Sequence, residues 1–212
     1  MAAIGPEAAC IFRITHVNNL PWILDHGLHC ENSDVKDPGF VPIGMADLIK
    51  KRRGRPVPIG PGGTLSDYIP FYFTPHSIMM FNIKTGHNGV IRRPNRDIAI
   101  LVSSLHKLRD LGARFAFTDS HAYLQEADYY QDLACLNRID WGLLRRRDFR
   151  TAPNDPGKFG RYQAEALVHS VVPVDALLGI ACYDDLARAS IRANLETRGL
   201  TIPVKSLPRW HF

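Results

Sequence analysis

The chain of 212 residues, 45% apolar and 22% charged, has the length and composition of one soluble domain with a real hydrophobic core, or a core plus a small lobe. Its formal charge of +5 is modest but bunched, in Lys50-Lys51-Arg52-Arg53-Gly54-Arg55, in Arg92-Arg93-Pro94-Asn95-Arg96 and in Arg145-Arg146-Arg147-Asp148-Phe149-Arg150. Gathered on one face, these runs are a footprint for nucleic acid; left apart, they are solvated loops.

Ile11–His16 alternates as a strand. Asn18 or Asn19 then caps a short helix that has Pro21 in its first turn, takes apolar contacts from Trp22, Ile23 and Leu24, and stops at Gly27. Residues 28–67 hold no long periodic run, only a possible short helix at Ala46–Lys51. A connection of that length inside a compact domain is a functional or a disordered element, and it is the first place to look for something that covers a substrate. Tyr68–Pro75 reads as an aromatic strand closed by a proline turn, and His76–Phe81 as a short, partly apolar segment. Ile98–Val102 is a fully apolar strand. Ser104 can cap a helix over Leu105–Leu111, which Gly112 ends, and Arg114–Thr118 is a further strand. Tyr123–Cys135 and Leu136–Leu144 are mixed stretches with helical turns.

After a loop at 151–161, strands are expected near Ala164–Val168 and Leu178–Cys182. Asp184 caps a helix to about Thr197, stopped by Gly199, with Leu186, Ile191 and Leu195 as its buried side. A last strand is expected at Leu200–Val204. Strands outnumber good crossover helices, so the pattern is a mixed α+β domain with curved or paired sheets rather than a βαβ chain.

Absent motifs narrow the chemistry. There is no G-x-G-x-x-G after a strand and no Walker A sequence, and Gly60-Pro61-Gly62-Gly63-Thr64 lacks the Lys-Ser/Thr pair that would make it a phosphate loop. No nucleophile elbow and no H-E-x-x-H pair occur. Asp25-His26-Gly27 and Asp119-Ser120-His121 bring no second ligand at useful spacing, so no metal is expected. Cys10, Cys30, Cys135 and Cys182 include no C-x-x-C pair, which excludes a zinc knuckle and a redox dithiol. No apolar run approaches the roughly 20 residues that cross a bilayer. Met1–Glu7 lacks both a basic and an apolar leader region, so no membrane association is expected and a reducing cytoplasm is the simplest location.

One acid stands out. Glu165 lies in Tyr162-Gln163-Ala164-Glu165-Ala166-Leu167-Val168-His169, a run that otherwise reads as a half-buried strand, just behind the arginine-rich loop. Buried acids are costly unless paired or functional. On pattern alone Glu165 is either a catalytic carboxylate or a surface glutamate on the polar face of its strand.

Several segments together resemble the DarT toxins, NAD-dependent ADP-ribosyltransferases that act on single-stranded DNA. The matching pieces are Phe12-Arg13-Ile14-Thr15-His16-Val17-Asn18-Asn19-Leu20 leading to Gly27-Leu28, and Leu65-Ser66-Asp67-Tyr68-Ile69-Pro70-Phe71-Tyr72-Phe73-Thr74-Pro75 followed by Met79 or Met80. Phe117-Thr118-Asp119 and Gln163-Ala164-Glu165-Ala166-Leu167-Val168-His169 complete the set, in family order. His121 stands where the family usually carries Asn. The resemblance implies a single ADP-ribosyltransferase (PARP-like) domain over 1–212: an α+β fold of two small sheets around an NAD cleft with peripheral helices. It also implies a covering element at about 28–67 and a substrate-presenting loop at about 145–162. A macrodomain antitoxin (DarG-like) would be the partner, and a base in single-stranded DNA the target, thymine favoured over guanine. The alternatives are an acceptor in RNA or protein, or a non-catalytic basic nucleic-acid-binding domain.

The resemblance also implies roles. Glu165 would be the catalytic glutamate, holding a ribose hydroxyl and accepting a proton from the attacking base. Arg53 would reach the active site from the 28–67 element, with Arg55 left open. His16 would bind the nicotinamide-side ribose, or else simply close its strand. Asn19 would face the cleft as well as cap its helix. Tyr72 would stack on nicotinamide, since alternation sets Phe71 and Phe73 on the other face, and Met80 or Met79 would pad the pocket or fill the core. Arg145, Arg146, Arg147, Arg150, Lys158 and Arg161 would line the DNA path, with Trp141 or Phe149 stacking on a neighbouring base or packed in the core.

Overall fold

The computed structural model describes residues 4–212. The strands are β1 (Cys10–His16), β2 (Leu28–His29), β3 (Tyr68–Tyr72), β4 (Ile98–Ser104), β5 (Phe115–Thr118), β6 (Tyr129–Tyr130), β7 (Glu165–His169), β8 (Val171–Val172), β9 (Gly179–Cys182) and β10 (Val204–Ser206). The helices are α1 (Leu20–His26), α2 (Ala46–Arg52), α3 (Ile78–Thr85), α4 (Leu105–Asp110), α5 (Trp141–Arg146), α6 (Lys158–Arg161) and α7 (Asp185–Glu196).

Local chemistry accounts for most boundaries. Ser77, Ser104, Asp140 and Asp184 each accept a backbone N–H from the first turn of the helix they precede, satisfying a donor that the helix cannot. Asn19 precedes α1 without capping it, because its side chain is used elsewhere. Gly27 ends α1 at φ +83°, where an added Cβ would lie 2.7 Å from the Val172 carbonyl oxygen, so only glycine fits between helix and β8.

Two expectations are corrected. Helix α7 buries Ala187, Ile191 and Leu195, a stripe at spacing four, while Leu186 is 68% exposed because it lies about 100° off that stripe. The last strand begins at Val204 rather than Leu200. Pro203 has no N–H to give the ladder, and its carbonyl instead accepts from Ile180 before the parallel pairing with β9 starts.

The main sheet runs β10-β9-β4-β1-β3-β7-β5-β6, with β2 and β8 paired separately. Strands β1 and β4 pair along their whole length, from Cys10↔Ser104 to His16↔Ile98. Across the middle, β1 and β3 share the single register pair Phe12↔Tyr72. The sheet is therefore two small halves hinged at one point, the split core that the resemblance implies. Phe71 and Phe73 enter the main core with Ala166 and Val168, as strand alternation requires. A second cluster around Phe12, Ile100, Met80 and Trp210 covers the other face of the β1 half.

The segment between β2 and β3 crosses the opening between the halves. Its neck is tied by Asn32 N–H to the Ser66 carbonyl (3.1 Å) and by the Asn32 side chain to Asp67 (2.7 Å). No residue of helix α2 within it belongs to the core. Besides these polar ties the strap has apolar anchors, Val57 and Leu65 buried with Tyr68, Ala116 and Leu167, and Ile43 and Met45 packed against the second cluster.

Candidate active site

Glu165 opens β7, is 2% exposed and sits opposite Tyr72 in the β3–β7 register. Its carboxylate is fully engaged. Oε1 accepts from Arg52 Nη1 (3.1 Å) and from the Ala122 N–H (3.1 Å), and Oε2 accepts from Arg52 Nη2 (3.0 Å). Burial alone would push this acid up. The Arg52 guanidinium outweighs it, helped by the neighbouring His121 and the Ala122 N–H, and holds the group below the usual carboxylate range. A buried, ionised, geometrically fixed carboxylate results.

Strap and strand thus meet through one two-pronged ion pair, and its arginine is the neighbour of the expected one. Arg52 is the last residue of α2 and points at Glu165, whereas Arg53 has turned about 100° further round and donates from Nε to Glu31 (2.7 Å). Arg55 donates to the Leu124 carbonyl (2.7 Å), fastening the strap to the loop after β5. Neither Arg53 nor Arg55 lines the cleft.

That cleft, of about 510 Å³, is lined by Arg13, Trp22, Phe40, Met79, Tyr72 and Glu165 among others. Its lining mixes apolar side chains with polar and charged ones, Arg13, Glu31, Lys36, Asp37 and Arg52 among them, the form of a site for an organic ligand that carries polar groups. Burial, with Glu165 beside it, pushes the Tyr72 hydroxyl up to about 12, so it stays protonated. Arg13 is pushed down to about 10 by burial but remains a cation at neutral pH, and it ties the two half-sheets by donating to the Pro70 carbonyl (2.8 Å).

A second depression, of about 530 Å³, lies beside the first and is lined by Ser120, Leu124, Phe159, Arg161 and Gln163 among others. Leu48 and His121 line both and form the wall between them, whereas Glu165 lines only the first. The His121 Nδ1 lies 3.1 Å from the Tyr123 backbone nitrogen and 3.3 Å from Glu165 Oε1. Burial pushes the His121 pKa down, while the nearby Glu165 carboxylate acts the other way.

The other residues named from sequence are dispersed. His16 is buried and outside the cleft lining; its Nδ1 accepts from the Asn18 N–H and caps a 3-10 turn. Met80 is 1% exposed in the second core cluster, and Met79 takes the cleft position one helical step away. Asn19, fully buried, donates to the Thr15 hydroxyl (3.2 Å) and the Val41 carbonyl (3.0 Å) and accepts from the Val41 N–H (2.8 Å). It pins the strap to the end of β1. Replacing Asn19 with Ala should orphan both Val41 groups, raising the KM for the cleft's ligand several-fold while changing kcat little; steady-state kinetics would show it, and an unchanged KM would count against the pin.

Arg150 and Lys158 both bind Asp148, and Arg161 makes a two-pronged pair with Asp155 (3.0 and 2.7 Å). Arg145, Arg146 and Arg147 are exposed and form no ion pair among the described residues. Trp141 is core, edge-on to Phe73 with its indole N–H on the Leu136 carbonyl, and Phe149 packs among Phe81, Tyr162 and Phe212. Sequence reasoning did not single out Arg52, and no apolar pattern in α2 signals which of its residues faces Glu165.

The buried histidines give the fold an acid weakness. Burial holds His76 and His121 below the ordinary value of 6.5. From that value downward an unfolded chain takes up protons that the folded chain refuses, so stability is full above about pH 6.5 and falls as pH drops towards the folded values. Melting temperatures between pH 5 and 8 should be flat at the alkaline end and decline below 6.5; a flat profile down to pH 5 would contradict this.

Among the described residues, no group of three or more His, Cys, Asp or Glu side chains could hold a metal ion, and no helix is long and apolar enough to cross a membrane. Comparison with known proteins gives a consistent picture. The family model described as "ssDNA thymidine ADP-ribosyltransferase, DarT" matches residues 12–212. A DNA ADP-ribosyl transferase of Escherichia coli O127:H6 is 50% identical over 211 residues, covering 100% of this chain and 97% of that one. The solved structure of Thermus sp. 2.9 DarT in complex with ADP-ribosylated ssDNA superposes with a TM-score of 0.90 at 30% identity, over 100% of both chains. The same protein in complex with NAD+ superposes with a TM-score of 0.84 at 29% identity, covering 98% of this chain and 100% of that one.

Proposed function

This chain belongs to the DarT family, the DNA ADP-ribosyltransferase toxins of toxin–antitoxin systems, and from that membership we propose that it joins ADP-ribose to a thymine ring nitrogen using Glu165 and Arg52. It is an NAD-dependent ADP-ribosyltransferase of single-stranded DNA. The observation that carries the residue assignment is the Arg52–Glu165 pair, at 3.1 and 3.0 Å, set in the wall of the first cleft at the hinge between the half-sheets.

In this reading NAD occupies the first cleft with Tyr72 against the nicotinamide. The bond from ribose C1′ to the nicotinamide nitrogen breaks, and nicotinamide leaves with the bonding pair. Glu165, already ionised, accepts the ribose 2′-hydroxyl hydrogen bond as positive charge develops at C1′, where a fixed anion in a water-poor cleft is most effective. The thymine nitrogen attacks C1′ and gives its proton to the same carboxylate. Arg52 shares its donor fork between Glu165 and the carbonyl beside the attacking nitrogen, so the base is polarised without losing the clamp. Products and reactants balance: NAD and base yield ADP-ribosyl base, nicotinamide and a proton.

Arg145, Arg146 and Arg147, exposed and without an ion pair among the described residues, are the foremost cations for phosphate contact, ahead of Arg150, Lys158 and Arg161, whose charge is partly offset by Asp148 and Asp155. A macrodomain antitoxin is the expected partner. We read residues 1–212 as one catalytic domain working in the cytoplasm. The test is incubation with NAD and a panel of single-stranded DNA and RNA oligonucleotides differing in one base, followed by mass spectrometry. Thymidine-containing DNA should gain one ADP-ribosyl group; label confined to guanine, RNA or protein would overturn the acceptor.

A further inference from the structure

Resting on that reading, we propose that Arg52 also selects the acceptor. Its hold on both oxygens of Glu165 shields the donor from water, and a base that carries a carbonyl beside its attacking nitrogen lifts the shield. Hydrolysis of NAD is then a latent activity of this cleft.

Acceptor sites on the carboxylate are the limiting resource. An ionised carboxylate offers about four lone-pair sites. Three are filled, by Arg52 Nη1 and the Ala122 N–H on Oε1 and by Arg52 Nη2 on Oε2. His121 Nδ1 also stands 3.3 Å from Oε1, so the open site is on Oε2. Group transfer needs two sites, one for the ribose hydroxyl and one for the proton of the nucleophile. The Arg52 and Glu165 side chains are only 11% and 3% exposed, so bulk water has little access to loosen the pair.

A second site opens when one prong of Arg52 turns away. Thymine takes that prong on a carbonyl while the neighbouring ring nitrogen stays free to attack. Water has a single oxygen for both tasks. If it accepts from Arg52, electron density is drawn from the atom that must attack; if it does not, its proton finds no open base. With the shield removed, the bond from C1′ to nicotinamide breaks and nicotinamide leaves with the electron pair. The water oxygen bonds to C1′ and its proton passes to Glu165, so NAD and water yield ADP-ribose, nicotinamide and a proton.

The experiment measures ADP-ribose and nicotinamide formed at saturating NAD without DNA, at pH 7 and pH 9, by the parent, Arg52→Ala, Arg52→Lys and Arg53→Ala. The higher pH keeps Glu165 ionised when its cation is lost. Both Arg52 variants should hydrolyse NAD at least about tenfold faster than the parent, the scale of one charge-assisted hydrogen bond, although both lose transfer to DNA. Arg53→Ala, whose partner is Glu31, should match the parent. Adding Glu165→Gln to Arg52→Ala should return hydrolysis to the parental level or below, which ties it to the freed carboxylate rather than to a loosened fold. Hydrolysis no faster than parental in both Arg52 variants at both pH values, or hydrolysis that survives Glu165→Gln, would overturn the shield and leave the transferase function intact. No transfer to thymidine-containing DNA by the parent would overturn the function, and the shield with it.

Discussion

Glu165→Gln should slow ADP-ribosyl transfer by about a thousandfold, the combined scale of losing a positioned base and a fixed anion beside developing positive charge. The amide keeps the volume of the acid but can neither accept the proton nor offset the charge at C1′. Its effect on stability separates two pictures of the strap. If Arg52 were locked in the interior, orphaning its charge would cost about 3–5 kcal/mol. No residue of helix α2 belongs to the core, although the Arg52 side chain is only 11% exposed, so Arg52 can follow the helix out into water and the cost is capped at that of opening the strap. We expect the melting temperature to fall by only a few degrees. Amide exchange in Ala46–Arg52 should rise at least tenfold, against about 1.4 kcal/mol lost in local opening. A collapse of the melting temperature without faster exchange in α2 would show that the strap is not the mobile part.

The second large effect concerns adjacent residues. Arg52→Lys keeps the charge but replaces a planar two-pronged donor by a point charge, so it should lose transfer by about a hundredfold. Arg53→Ala removes an exposed pair with Glu31 (2.6 Å) and should leave the rate within about threefold, because exposed pairs contribute little. Arg52→Ala should also raise the Glu165 pKa, since burial would then act against the acid without the guanidinium, and move the acidic limb of the pH–rate profile to higher pH. Steady-state kinetics on the three variants checks this; equal losses at 52 and 53 would contradict the geometry.

The mistake of one position between Arg53 and Arg52 shows where sequence reading stops. A helix at Ala46–Lys51 was legible from local propensity, but no apolar stripe marks which side of it faces the protein, so its rotation could be set only by a partner 113 residues away. Met79 and Met80 differ in the same way, one in the cleft and the other in the core. Phe71, Phe73 and Tyr72 were easier, because strand alternation is binary and two phenylalanines on one face decide it. For Glu165 the pattern left buried and exposed equally open; what buries it is a guanidinium and a backbone N–H that no local window contains. The arginines of 145–161 read as one basic surface in the sequence. Folding pairs Arg150 and Lys158 with the one Asp148 carboxylate and Arg161 with Asp155, which offsets two of these three charges. Charge runs report what is present and not what has already been neutralised.

A structure of the Glu165→Gln variant with NAD and a thymidine-containing single strand would test the account most directly, since both substrates should persist unreacted. The nicotinamide-side ribose should lie in the first cleft within hydrogen-bond reach of residue 165, with Arg52 turned to a thymine carbonyl. A dinucleotide seated elsewhere, or a base approaching with Arg52 still directed away from it, would contradict the mechanism.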